Sequence, residues 1–330
     1  MIVDKDSAFP NSMSLPSHAS FVVYAKSKED VAEAVALAKR EQLPILAMGD
    51  GTNLLPSTLT KAVVLILDNR GIKEEDNILT VQAGEKWDDV VKFAVERGLS
   101  GIEALSSIPG KAGAAPIQNI GAYGAEIGDT IEYVEVYDKE KEKFVLLDKE
   151  DCEFGYRDSL FKKNKSRFIV VAITLKLSKE PPKIPDYKDV KKYFKDRANT
   201  SPSLQEIREA IIEIRKNKLP DPSVVPNCGS FFKNPFVTLE KAKALQTEFP
   251  TLSVFPSGER VKIPAGFLIE QAGFKGQKIG NVEIYKNNAL VITNPHGATF
   301  ADIIEAKDTI QQSVLSKFGI LLEPEVNIIE

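Results

Sequence analysis

Ile108-Pro109-Gly110-Lys111-Ala112-Gly113-Ala114-Ala115-Pro116-Ile117-Gln118-Asn119-Ile120-Gly121-Ala122-Tyr123-Gly124 has no helical or strand period, yet it keeps its apolar residues and is not low-complexity linker. It lies within Ser106 to Gly128, a loop long enough to suggest function in a compact domain. Small residues at this density let a chain lie flat against a large rigid ligand, while Gln118 and Asn119 can read polar edges. A surface loop packed on itself is built from the same residues.

Working outward, Phe21 to Tyr24 predicts a strand, and Ser27 caps a helix with Glu29 and Asp30 in its first turn and Val31, Val35 and Ala38 as its stripe. Strands are predicted at Pro44 to Met48, Val63 to Leu67 and Ile78 to Gln82, then a helix with Trp87, Val90, Val91, Ala94 and Val95 on one face. After the loop, Ile131 to Tyr137, Lys143 to Leu147 and Phe168 to Leu177 continue as strands. Lys179 to Pro202 is polar and Pro-containing and reads as a connector. Ser203-Leu204-Gln205-Glu206 is a capping box. Beyond it lie helices near Leu239 to Thr247 and Ala301 to Phe318, a strand Ala289 to Thr293, and a terminal strand Leu321 to Ile329.

The chain has 330 residues, with 43 Lys plus Arg against 47 Asp plus Glu and 43% hydrophobic content. That suits two globular domains and no nucleic-acid partner, since the basic residues form no cluster. Its apolar runs fall short of the roughly 20 residues of a membrane span. With no apolar stretch behind Asp4, Lys5 and Asp6, the expected compartment is the cytoplasm. Cys152 and Cys228 are expected as packed thiols. Two histidines, His18 and His296, stand alone, so no metal site or Ser-His-Asp triad is expected.

Four further segments carry candidate chemistry. Gly49-Asp50-Gly51-Thr52-Asn53-Leu54 follows a predicted strand and suits a phosphate, although it fits neither the Rossmann nor the P-loop pattern; a plain turn is the alternative. In Phe154-Gly155-Tyr156-Arg157-Asp158-Ser159, Arg157 can bind a carboxylate in fork geometry or pair with Asp158. Ser230, within Gly229-Ser230-Phe231-Phe232-Lys233-Asn234-Pro235, lacks a histidine to activate it, which leaves a turn serine or a proton donor. Glu323, Glu325 and Asn327 share the polar face of the terminal strand, opposite Leu322, Val326 and Ile328.

These segments, with Pro116 to Gly124 and Glu323-Pro324-Glu325-Val326, resemble the UDP-N-acetylenolpyruvoylglucosamine reductase family from about Ser20 to Glu330. The resemblance implies an α+β protein: an FAD-binding PCMH-type (vanillyl-alcohol-oxidase-like) module of two subdomains, then a smaller α/β substrate-binding domain. The implied boundaries are 1–60, 61–200 and 201–318, with 319–330 returning to the active site. Arg157, Ser230 and Glu325 align with the catalytic trio. Gly49, Asp50, Gly51, Thr52, Asn53, Leu54, Pro109, Gly110, Gln118, Asn119, Ile120, Gly121, Ala122 and Gly124 align with FAD-binding positions. Tyr123, Tyr156, Tyr187, Lys218, Asn234, Lys275 and Asn288 align with substrate-contacting positions. The tyrosine-bearing connector matches the longer of the family's two forms. Departures are Thr52 for the usual Ser, Lys111 for a small residue, Ala114 for Gly, and Asn288 for a longer amide.

The implied activity is NADPH-dependent reduction of the enolpyruvyl group of UDP-N-acetylglucosamine enolpyruvate through noncovalent FAD, a step of peptidoglycan precursor synthesis serving cell shape and division. Arg157 would hold the substrate carboxylate, Glu325 would share a hydrogen bond with it, and Ser230 would protonate the adjoining carbon. Such a protein is expected to be a monomer whose partner is this small molecule. Two rivals stay open: an FAD-dependent oxidase or dehydrogenase of an alcohol or sugar on the same scaffold, and a catalytically inactive nucleotide-binding protein.

Overall fold

Leu59–Leu67 is apolar at nearly every position, as a strand covered on both faces must be. In the computed structural model, which describes residues 1–329, it pairs in parallel with His18–Ala25 on one side and Ile45–Met48 on the other. The four-stranded sheet is completed by Ile2–Ala8, antiparallel at its edge. Helix Lys28–Arg40 crosses over one face; Ser27 Oγ accepts the Asp30 N–H at 3.2 Å, with acidic residues in the first turn and basic ones in the last. Its Val31, Ala34, Val35 and Ala38 pack with Val63, Leu65 and Leu67.

A five-stranded antiparallel sheet comes next, ordered Lys143–Asp148, Ile131–Asp138, Phe168–Lys176, Ile78–Gln82, Ile72–Glu75. Helix Trp87–Glu96 buries Trp87, Val90, Val91 and Ala94 in one cluster with Leu79, Val81, Val134 and Ile173.

The chain divides into two units. The first holds residues 1–9, 18–51 and 59–216, and the second holds 10–17, 52–58 and 217–329. This partition departs from the expected boundaries at 60, 200 and 318. Residues 201–216 stay with the first unit because helix Leu204–Lys218 buries Ile207, Ile211 and Ile214 against Val190 and Phe194, and Arg208 forks onto Asp88 at 2.7 Å to each oxygen. The connector read at Lys179 to Pro202 contains a helix, Lys188–Asp196, whose Val190 and Phe194 form this one-turn apolar pair.

The second unit has a sheet ordered Asn227–Ser230, Val291–Thr293, Val282–Ile284, Lys278–Ile279, and a three-stranded one of Phe236–Thr238, Arg260–Lys262 and Phe255–Ser257. Helix Phe300–Phe318 starts on a Thr299/Asp302 capping box and ends at Gly319 with φ 65°. Its Ile303, Ile310, Val314 and Phe318 share a core with Leu55, Phe231, Phe232 and Leu268. The terminal strand is shorter than expected. Only Asn327–Ile329 is strand, parallel to Leu54–Pro56, and ahead of it Pro324 makes an isolated antiparallel bridge with Phe232. The expected alternation survives in part: Leu322 and Val326 are buried and Glu323 is exposed.

Candidate functional site

In the first unit, the small residues of the 108–124 loop are explained by how closely it lies on the sheet. A Cβ at Gly113 would stand 2.5 Å from the Ala83 Cβ, and the Ala112 and Gly113 amides donate to Glu85 and Ala83 carbonyls at 2.8 and 2.9 Å. Gly121–Ala122 then pairs with Ala125–Glu126 across Tyr123 and Gly124, at φ 52° and 88°. Two successive left-handed residues make the tight hairpin turn that glycine adopts freely and tyrosine only at a cost. The Tyr123 ring meets Tyr187 edge-on at 5.2 Å. Burial pushes its hydroxyl up to about 12, against the opposing pull of Arg215. Arg215, itself lowered by burial, donates from Nε to the Ser107 carbonyl at 3.2 Å.

Arg157 stands in a turn closed by reciprocal backbone bonds between Gly155 and Asp158 at 3.0 and 3.1 Å, with φ 52°. Its Nη2 donates to the Gly121 carbonyl at 2.7 Å, and its guanidinium lies 5.5 Å from the Tyr156 ring centre. A Cβ at Gly121 would come within 2.9 Å of the guanidinium, so the glycine makes room for it. Two more links fasten the same loops together: Ser159 Oγ donates to Ile117 O at 2.6 Å, and Asn119 Nδ2 to Gly155 O at 3.0 Å.

The Asn119 side chain, expected to read polar edges of a ligand, is engaged within its own loops. It is 2% exposed, its Nδ2 also donates to Glu126 Oε2 at 2.7 Å, and its Oδ1 accepts the Gly128 N–H at 2.9 Å. A short polar side chain at φ 47° folds back on its own loop, which satisfies buried main chain that would otherwise be unpaired.

In the second unit, Ser230 ends strand Asn227–Ser230. Asn227 faces Thr293 and Ser230 faces Val291, a bulge that turns on Gly229 at φ 75° and re-aims the serine. Asn227 Oδ1 accepts the Gly229 N–H at 2.9 Å and stiffens the bulge. The fully buried Phe231 and Phe232 anchor the chain just beyond the serine. The segment carrying Glu325 is laid along this anchor: Glu325 N–H donates to Phe231 O at 2.8 Å and Lys233 N–H to Glu323 O at 2.9 Å. Asn53 joins them, accepting the Asn327 N–H at 3.0 Å and donating from Nδ2 to Glu325 O at 3.5 Å.

Ser230, Glu325 and Asn53 are thus on adjoining segments. Asn234 caps the start of helix Ala265–Gln271, its Oδ1 accepting the Ala265 N–H at 2.8 Å. Asn288 Oδ1 accepts the Leu290 N–H at 3.1 Å, and Leu290 O in turn accepts from Phe231. Lys275 is held by Glu270 at 3.0 Å, and Lys218 ends its helix. By unit, Gly49, Asp50, Gly51, Pro109, Gly110, Gln118, Ile120, Tyr156, Arg157 and Tyr187 belong to the first, and Thr52, Leu54, Lys218, Ser230, Lys275 and Glu325 to the second. Arg208 and Arg215 went unnoticed in the sequence. Their signal was two guanidinium residues two turns apart on a helix with an otherwise apolar stripe.

The first unit's loops fit a dinucleotide. The chain passes through left-handed conformations at Gly51, Gly110 and Gly124, a backbone state from which main-chain amides can approach a pyrophosphate closely. Residues 108–124 contain no carboxylate. Among the described residues, no group of three or more His, Cys, Asp or Glu is placed to hold a metal ion, and no helix is long and apolar enough to cross a membrane.

Residues 19–145 match the family model described as "FAD binding domain", and residues 221–329 match "UDP-N-acetylenolpyruvoylglucosamine reductase, C-terminal domain". The chain is similar to proteins named UDP-N-acetylenolpyruvoylglucosamine reductase. The Pseudomonas aeruginosa one is 39% identical over 96% of each chain. The Escherichia coli K12 one is 38% identical over 97% of this chain and 94% of that protein. The crystal structure of the Thermus caldophilus reductase, 23% identical, matches at a TM-score of 0.69 over 97% of this chain and 96% of the other, a likeness of fold.

Proposed function

The chain belongs to the UDP-N-acetylenolpyruvoylglucosamine reductase family, and we propose that it reduces the enolpyruvyl group of UDP-N-acetylglucosamine enolpyruvate to give UDP-N-acetylmuramate. FAD, when bound, would supply hydride transfer from NADPH to the alkene. Arg157 pairs with the substrate carboxylate and stabilises charge where it grows as the alkene accepts hydride. Glu325 shares a hydrogen bond with the same group. Ser230 gives its proton to the carbon bearing the carboxylate. A serine hydroxyl is a weak acid, so it serves only against a strongly basic centre held in register and away from water.

Lys218 and Lys275 supply charge for the UDP pyrophosphate, and Tyr187 with Tyr123 closes over the nucleotide. Tyr156, Asn234 and Asn288 complete the substrate contacts. Thr52, Asn53 and Leu54 contribute to the cofactor loop with Gly49, Asp50 and Gly51. The working form is a cytoplasmic monomer.

The observation that supports this reading is the main-chain pairing of the Glu325 segment with Phe231, the residue after Ser230, in a set of candidate residues that includes no histidine. The test is a colour cycle. The purified protein should be yellow, NADPH without oxygen should bleach it, and the enolpyruvyl nucleotide should restore the colour. Oxygen uptake with alcohols and no bleaching by NADPH would overturn the reading in favour of an oxidase.

A further inference from the structure

Lys111 is 7% exposed, which is unusual for an ammonium group and calls for compensating partners. Its Nζ donates to the Leu67 carbonyl at 2.7 Å and stands 3.4 Å from Asp68 Oδ1 and 3.7 Å from Asp50 Oδ1. One cation therefore meets the end of strand Leu59–Leu67, the residue after it, and the turn Gly49–Gly51. The aliphatic stem runs beneath that turn: a Cβ on Gly49 would be 3.0 Å from Lys111 Cβ and 3.2 Å from Cγ. Asp68 is further held by Arg70 at 2.9 Å. Although burial pushes the Asp68 carboxyl up, Arg70 and Lys111 outweigh it and keep it below the ordinary carboxylate range.

We propose that Lys111 is a positioning residue for the cofactor loop, pinning the Gly49–Gly51 turn from behind and offsetting the Asp50 and Asp68 carboxylates so that the turn accepts a pyrophosphate. The inference rests on the reading of that turn as part of the FAD site. Its physical basis is like-charge repulsion. A pyrophosphate beside two carboxylates is disfavoured, and a buried cation that meets both is screened little by solvent. Lys111 touches the turn from within the protein, so its effect on the ligand passes through the turn's geometry and the field of Asp50.

The test is FAD binding to the deflavinated protein, followed by quenching of flavin fluorescence. Lys111→Met keeps the stem and removes the charge. It should weaken FAD about tenfold or more at low salt, the size expected of one charge at partly screened range, and added salt should narrow the gap. Asp50→Asn in the Lys111→Met background should restore part of the lost affinity. In the unaltered background, where the half-exposed Asp50 can change without threatening the fold, it should tighten FAD a few-fold by the same charge argument. Lys111→Met binding FAD within twofold of wild type overturns the proposal, and so does Asp50→Asn leaving affinity unchanged in both backgrounds. Wild-type protein that takes up no FAD overturns the functional reading itself.

Discussion

The main-chain N–H of Glu325 donates to the carbonyl of Phe231 at 2.8 Å, so the carboxyl candidate is fastened one residue beyond the hydroxyl candidate, Ser230. The core of the second unit anchors both, through Phe231 on one segment and Leu322 and Val326 on the other. Ser230→Ala should therefore leave the fold intact and still let NADPH bleach the flavin. Turnover of the enolpyruvyl nucleotide should fall about 10²–10⁴-fold, the usual contribution of a positioned acid–base group. Stopped-flow absorbance separates the two half-reactions; loss of bleaching with turnover spared would remove Ser230 from the proton step.

Gly229 sets the direction of Ser230. At φ 75°, with no heavy atom within 4 Å of an added Cβ, Gly229→Ala meets no clash but carries the left-handed penalty of about 1–2 kcal/mol. Relieving that strain tilts the bulge, so both stability and turnover should fall. Gly258→Ala, at φ 58° and equally uncrowded, should cost similar stability and leave turnover unchanged. Urea unfolding and steady-state rates on both variants check this.

A segment was legible in the sequence to the extent that side-chain burial, rather than main-chain pairing, holds it. Val63 to Leu67, the Ser27 cap and the Trp87 stripe were readable because burial there imposes a period on side chains. Strand Ile2–Ala8 was not, because it is an exposed edge held by main-chain pairing with His18–Ala25, and main-chain bonds leave no pattern in charged residues such as Asp4 and Lys5. Asn119 was ambiguous for a related reason. A polar residue in a glycine-rich loop looks the same whether it faces a ligand or its own backbone. The pattern around Ser203 and Glu206 was a true capping box, Ser203 N–H to Glu206 at 2.7 Å and Glu206 N–H to Ser203 Oγ at 3.2 Å.

Arg208 and Asp88 make the first unit's stability depend on acid. Burial raises the Asp88 carboxyl, but the Arg208 fork and the Ser107 N–H outweigh it and hold it below its ordinary 3.8. A folded-state value below the unfolded one stabilises at pH above the unfolded value, and this is lost as pH falls through the folded value. Arg208→Met should cost about 1–3 kcal/mol at pH 7, reduced from a fully buried pair because Asp88 keeps 39% of its side-chain surface exposed. Below about pH 4 the difference from wild type should shrink. Thermal unfolding from pH 3 to pH 7 gives both slopes.

Both thiols should be silent in the native protein. Burial pushes Cys152 and Cys228 up to about 12, and the thiolate is the reactive form. A chromogenic disulfide reagent at pH 8 should titrate neither until denaturant is added, then both. Rapid native labelling would mean that one of the two cores opens locally.

Asn119 provides a test of how firmly Arg157 is held. Asn119→Ala leaves the Gly155 carbonyl and the Gly128 N–H without their partner, at about 1–3 kcal/mol for each buried group left unpaired, and adds an alanine at φ 47°. The turn bearing Arg157 loses one of its ties to the Ile117–Gly121 stretch and keeps those from Ser159 and from the guanidinium itself. Stability should drop, and KM for the enolpyruvyl nucleotide should rise, because an arginine that wanders recognises a carboxylate less well. Asn119→Asp distinguishes hydrogen bonding from packing. The new carboxylate keeps the acceptor for Gly128 but opposes Glu126, so this variant should be the weaker of the two at pH 8 and recover near pH 4, where an added proton restores a donor. Equal losses for the two variants at every pH would show that the amide acts only by filling space.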